Sequence, residues 1–174
     1  MKIGIFSDTH DNVANLEKAH QIFNNHNIEL ALFCGDLVSP FMFKFLSDWP
    51  WPIKMVFGNN EGDKYGIIRR LQQYDLHKIE YAPKGNIFSL EEDGQKIAVF
   101  HGNGAEITQA LLTCGDYDLV CTGHDHVAKI SQIGKTLWVN PGTVAGVSEN
   151  PEVTKGSVAI YDTKSRQAEI IYLL

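Results

Sequence analysis

Leu30-Ala31-Leu32-Phe33-Cys34-Gly35-Asp36 is the stretch on which the reading of the whole chain turns. Five apolar residues in a row read as a strand buried on both faces. A glycine follows, and a carboxylate then stands at the carboxyl edge of that strand. Four other stretches have the same form: Ser7-Asp8-Thr9-His10, Gly58-Asn59-Asn60-Glu61, His101-Gly102 and Gly123-His124-Asp125-His126. Each follows an apolar run that reads as a strand. Lys2 to Ser7, the helical spacing of residues 12–26 and Ile28 to Cys34 together imply a right-handed parallel crossover. Ligands of such sheets sit beyond the carboxyl ends of the strands. Position just after a strand is therefore informative for Asp8 and Asp36.

Outward from that unit, helices come early and strands late. Residues 12–26 form an amphipathic helix with Leu16, Ala19, His20 and Phe23 at helical spacing. Pro40 to Leu46 reads as a second helix with Phe41, Phe45 and Leu46 inward, and residues 64–76 as a third with Ile67, Ile68 and Leu71 buried. Ile53 to Phe57 and Ile79 to Ala82 read as strands. Residues 86–91 and 96–100 form a hairpin around Glu92-Asp93-Gly94-Gln95. Residues 105–114 read as a helix, and Asp118 to Thr122 as a strand. Residues 129–133 with 136–140, and 156–162 with 167–173, form two more hairpins. This order predicts an α/β fold: a four-layer α/β/β/α sandwich of two mixed sheets with flanking helices.

The bulk properties narrow the class. The 174 residues suffice for one domain, expected to span residues 1–174. A net charge of -6 disfavours general binding to nucleic-acid backbones. No run is long and apolar enough to span a membrane. Met1 to Phe6 leads directly into Asp8, too short for a signal peptide, so a cytoplasmic location is expected. Cys34, Cys114 and Cys121 form no CxxC pattern and read as reduced core residues. Trp49 and Trp51 lie among Pro50 and Pro52 in a forced extended stretch. They read first as a cover over the end of the core and second as a partner surface. Exposed aromatics leave a homodimer open.

Each of the five edges alone is weak, since DxH or GNN also makes an ordinary turn. The set is strong. Asp8, His10, Asp36, Asn59, His101, His124 and His126 are all metal-competent side chains, and a fold has no structural need for them at every strand end. Two divalent ions about 3.5–4 Å apart need a shared carboxylate, a role that Asp36 suits. A mixed nitrogen and oxygen set without thiolate suits Mn²⁺, Ni²⁺, Fe²⁺ or Zn²⁺, with Mn²⁺ the expectation. Such a pair lowers the pKa of a shared water and neutralises phosphate oxygens, so hydrolysis of a small phosphate ester is the natural reaction.

In order, DxH, GD, GN-x-[DE], H-G, GHxH and NPG resemble the calcineurin-like metallophosphoesterases, and the short chain resembles their small bacterial and archaeal phosphodiesterase branch. The resemblance runs from Lys2 to about Gly142. It implies that Asp8, His10 and His126 hold one ion and Asn59, His101 and His124 the other, with Asp36 bridging. It also implies a metal-bridging hydroxide as nucleophile, and Asn140-Pro141-Gly142 as scaffold near the site. Asn60 stands where many members carry His and small members often carry Cys. An asparagine can contact phosphate but cannot give up a proton at neutral pH, which favours diesters over alkyl monoesters. Asp125 stands where Thr is frequent, and is expected to face solvent or to orient a neighbour. The alternative is a protein-binding scaffold, the role of a retromer-coat subunit that resembles the same fold with a degraded metal site. All seven ligand positions being filled favours the enzyme.

Overall fold

The computed structural model describes residues 1–74, 77–82 and 86–174. The strands are β1 (Lys2–Phe6), β2 (Leu30–Phe33), β3 (Ile53–Met55), β4 (Ile79–Tyr81), β5 (Ile87–Glu92), β6 (Gln95–Phe100), β7 (Leu119–Cys121), β8 (Lys129–Ile133), β9 (Thr136–Asn140), β10 (Ser157–Asp162) and β11 (Gln167–Tyr172). The helices are α1 (Val13–Asn25), α2 (Phe43–Leu46), α3 (Lys64–Gln73) and α4 (Ala105–Thr113), with a 3₁₀ turn at Pro40–Met42 leading into α2.

The strands form two sheets. One has the order β11-β10-β1-β2-β3-β4 and the other β5-β6-β7-β9-β8. In the first, β1 to β4 run parallel, β10 pairs antiparallel with β1, and β11 antiparallel with β10; in the second, β6, β7 and β9 run parallel between antiparallel edges β5 and β8. Side-chain alternation then sorts the core. Ile3, Ile5, Leu30, Leu32 and Cys34 meet Ile97, Val99, Leu119 and Cys121 between the sheets. Phe6, Ala31 and Phe33 face Leu16, Phe23 and Ile67 of the outer helices, while Ala98, Phe100 and Val120 face Leu111 and Leu112 of α4. The two mixed sheets with flanking helices are those expected. Burying a side chain as large as Phe6 or Phe23 contributes about 1.5–3 kcal/mol.

Several details differ from expectation. Phe41 is 47% exposed and Phe45 only half-buried, whereas Met42, Phe43 and Leu46 are inward. The segment opens as a 3₁₀ turn, whose three-residue period rotates the inward face away from Phe41. Ile68 is 40% exposed, because α3 packs through Gly66 and Ile67, and Leu71 is half-buried. The expected last residues of that helix, 75 and 76, lie outside the described residues. Cys114 is exposed at the end of α4, one turn past the buried Leu111. Trp49 and Trp51 are buried. Trp49 packs on Phe6 at 5.0 Å and stacks on His20 at 5.5 Å, so the two rings cover the core, the first of the two readings.

Candidate metal centre

β1, β2, β3, β6 and β7 all end at the same edge of the sandwich, because the parallel pairs β1-β2-β3 and β6-β7 share a direction within each sheet. Short loops after these ends carry every candidate. Asp8, His10, Asp36, His124 and His126 all have positive φ, from 39° to 75°. Outside glycine this conformation costs roughly 1–2 kcal/mol per residue, so the surrounding structure must enforce it. Part of that enforcement is visible. Asp8 N donates to Gly35 O at 2.9 Å, and Thr143 Oγ1 donates to Asp8 O at 2.9 Å.

Two groups of side chains lie within coordination reach of each other: Asp8 with His10 and His126, and Asp8 with Asp36 and His101. Nε2 of His126 is 3.3 Å from Asp8 Oδ1 and 3.3 Å from Nε2 of His10. His10 Nε2 is also 3.6 Å from Asp36 Oδ2, and His101 Nε2 is 3.5 Å from the same oxygen. Asp36 therefore faces both groups. Asn59 Oδ1 lies 2.8 Å from His101 Nε2. His124 stands apart from these tight groups. Its side chain is exposed with its ring 5.1 Å from that of His101, and its backbone N donates to Asp8 Oδ2 at 3.0 Å.

The chemistry of these contacts fits a cation. His101 Nδ1 donates to Cys34 O at 2.7 Å and His126 Nδ1 donates to Val147 O at 2.7 Å, which turns each Nε2 inward as a candidate ligand atom. Nε2 of His101 meets two oxygens that can only accept, from Asn59 and Asp36. Asp8 Oδ1 is buried without a hydrogen-bond partner among the described residues. A buried carboxylate oxygen that accepts no hydrogen bond is costly, and a metal ion would satisfy it. Electrostatics agree. Burial opposes the charge on Asp8, but His10, His126 and His101 outweigh it and hold the carboxyl well below its ordinary value. Asp36 is likewise lowered: burial raises it, and His101 and Asn60 prevail. Burial pulls His101 down while Asp36 and Asp8 push it further up, and contact with Asp8 raises His126 despite its burial.

Asn60, expected to contact phosphate, is exposed at the rim and turned onto the Asp36 carboxylate. Its backbone N donates to Asp36 Oδ1 at 2.8 Å and its Nδ2 to Asp36 Oδ2 at 2.9 Å. Asp125 accepts from Asn140 Nδ2 at 2.7 Å and from Val127 N at 3.0 Å, so it orients its own loop, and Asn140 also reaches Gly123 O. The sequence reading missed the work of Glu61 and Asp11. Glu61 accepts backbone N–H groups from Asp36, Leu37, Val38 and Gly58 at 2.9–3.3 Å. Asp11 accepts from Ser39 N at 3.0 Å and Ser39 Oγ at 2.5 Å. An acid two residues beyond the motif asparagine was the available signal for Glu61. For Asp11 there was none beyond its closeness to Asp8.

Comparisons with known proteins identify the family. Residues 1–166 match the calcineurin-like phosphoesterase superfamily domain. The chain is 32% identical over 173 residues to a phosphodiesterase of Methanocaldococcus jannaschii, covering 99% of each protein. A solved archaeal phosphodiesterase superposes with a TM-score of 0.88 at 31% identity, covering 99% of this chain and 100% of that one. A single mutant of Vps29 from Entamoeba histolytica shares the fold with a TM-score of 0.70 at 16% identity, each chain covered in full. Strand-end carboxylates, inward imidazoles and these matches together place the chain in the calcineurin-like phosphoesterase superfamily.

Proposed function

We propose that this chain is a two-metal-dependent phosphodiesterase. Its membership of a phosphoesterase superfamily makes it a hydrolase of phosphate esters. The observation that carries the finer reading is the buried Asp8 and Asp36 pair, ringed by His10, His101 and His126, with Asp8 Oδ1 accepting no hydrogen bond and His126 Nε2 3.3 Å from it. Asp8, His10 and His126 would hold one ion; Asn59, His101 and His124 would hold the other, and Asp36 would be shared. When bound, such ions activate a water and neutralise charge on the phosphate oxygens. Mn²⁺ suits the donor set, as do Ni²⁺, Fe²⁺ and Zn²⁺.

The chain's own residues set the rest. Cys34 O and Val147 O fix the tautomers of His101 and His126. Asn60 holds Asp36 in place, and its exposed amide can offer a hydrogen bond to phosphate but no proton. The leaving alcohol then takes its proton from solvent, which favours diesters with good leaving groups. The 32% identical archaeal relative, itself a phosphodiesterase, supports the same choice. The binding-scaffold alternative loses its best surface, because Trp49 and Trp51 are buried.

The test is hydrolysis of a chromogenic diester and its matched monoester by chelator-stripped protein, with Mn²⁺, Ni²⁺, Zn²⁺ or Mg²⁺ added back. Metal should restore activity, faster on the diester, and Asp36→Ala should stay at the background rate. Well-folded protein inactive with every metal would refute the enzyme; a strong monoester preference would refute the diester assignment.

A further inference from the structure

A cleft of about 350 Å³ opens beside the metal centre. His126 belongs to both. Its Nε2 faces Asp8 and His10, and the residue also lines the cleft. Val127 and Ala128, residues of the 150–155 stretch and Tyr172 of β11 line the rest of it. The 150–155 stretch is a built feature. Val147 O anchors the loop to His126 Nδ1, Ala145 N donates to Asp8 O, and Leu173 N donates to Gly156 O at its other end. Between those anchors the loop bonds to itself, with Glu152 N on Asn150 Oδ1 at 3.0 Å and Val153 N on Asn150 O at 3.0 Å.

The lining has a specific chemistry. Tyr172 is 54% exposed and presents an aromatic face. Glu152, Thr154 and Lys155 are exposed, and none has a side-chain hydrogen bond or ion pair among the described residues. The cleft thus combines a flat ring with an unpaired acceptor, a hydroxyl and a cation, and its volume lies in the range of small-molecule sites. A phosphodiester held at the centre has two ester arms, and one of them must leave past His126 or past the opposite side. A plain alkyl arm would leave the polar side chains unused. A nucleoside arm matches them: a planar base for Tyr172, and hydroxyl groups for Glu152, Thr154 and Lys155.

We propose that this cleft is a subsite for one arm of a nucleoside-bearing phosphodiester, with Tyr172 and Lys155 as its selecting residues. The proposal rests on the phosphodiesterase reading above. It is tested with two diesters that share one chromogenic leaving group, p-nitrophenol, and differ only in the other arm, methyl in one and thymidine 5′-yl in the other. The measurement is the KM of each with Mn²⁺-loaded protein. The thymidine diester should show a KM lower by about fivefold to tenfold, as one stacking contact supplies. In Tyr172→Ala and in Lys155→Ala that ratio should fall toward one. Equal KM values in the unaltered protein, or a preference that survives both substitutions, overturns the subsite. Absence of metal-restored hydrolysis of either diester overturns the phosphodiesterase reading itself, and the subsite falls with it.

Discussion

Glu61 shows how much of the candidate metal centre is held by a residue outside the ligand set. Asp36 and Val38 have φ of 62° and 76°, and for a β-branched valine that conformation is strongly disfavoured. Four backbone N–H groups converging on one carboxylate offset the strain. Glu61→Ala leaves all four donors without this acceptor and should destabilise the fold by about 2–4 kcal/mol in urea titrations, with metal affinity reduced as Asp36 loses its position. Glu61→Gln keeps one acceptor oxygen and should recover part of both losses. Equal stability of all three proteins would remove the role assigned to Glu61. The imidazoles carry a second prediction. His101 and His126 have raised pKa values, so their protonated forms persist above the ordinary value of 6.5. A metal must displace those protons. Affinity for Mn²⁺ should therefore weaken as pH falls from about 8 to 6, with proton release on binding measurable by calorimetry in buffers of different ionisation enthalpy. Asp8 and Asp36 remain ionised throughout that window, since their pKa values are lowered. An affinity independent of pH would mean that neither imidazole is a ligand.

At the scale of the element, periodicity revealed what packs and missed how segments begin. α1 and the alternating strands follow from apolar spacing in the sequence, and Asn12 caps α1 by accepting from Asn15 N at 3.1 Å. Strand ends came out a residue or two shorter than expected because their last residues turn into site loops. The Pro40 segment was misjudged because a 3₁₀ start and an α start have the same composition. α3 supplies a case where propensity points the wrong way. Gly66 sits in its first turn, and alanine in a helix is ordinarily favoured over glycine by about 1 kcal/mol. A Cβ there would lie 2.2 Å from Asp63 Oδ2 and 2.8 Å from Pro40 Cγ. Asp63 is the cap of α3, accepting from Gly66 N at 2.8 Å. Displacing it forfeits a cap of about 0.5–2 kcal/mol, and crowding against Pro40 adds about 1–3 kcal/mol. Gly66→Ala should therefore lower stability by about 1 kcal/mol or more; a rise in Tm would show that Asp63 and Pro40 yield freely.

Across the whole molecule, the centre is also the joint between the two sheets. Asp8, His10, Asp36 and Asn59 follow strands of the first sheet, and His101, His124 and His126 follow strands of the second. Direct bonds cross the joint, from His101 Nδ1 to Cys34 O and from His124 N to Asp8 Oδ2. The strand-end pattern made the residues of this joint legible in the sequence, because buried strands and the polar groups after them are local signals. Its wiring was not legible. His124 and Asp8 are 116 residues apart, and no local signal says that one backbone amide serves the other's carboxylate. Gly123 marks the closeness reached there, with a Cβ that would fall 1.9 Å from Ser7 Oγ. Ions drawing ligands from both sheets should stiffen the whole sandwich. Mn²⁺ at about 100 times its Kd should add about 2.7 kcal/mol for each ion bound, or about 5–10 °C in Tm per ion for a chain of this length, in calorimetry of stripped against loaded protein. Asp36→Ala, which removes the carboxylate facing both groups, should abolish most of that rise. The bonds that cross the joint already bind the sheets in the absence of metal, so the stripped protein should still unfold in one cooperative transition. Two separate transitions, or a metal-induced rise that survives Asp36→Ala, would show that the ions stabilise one sheet locally and do not clamp the two together.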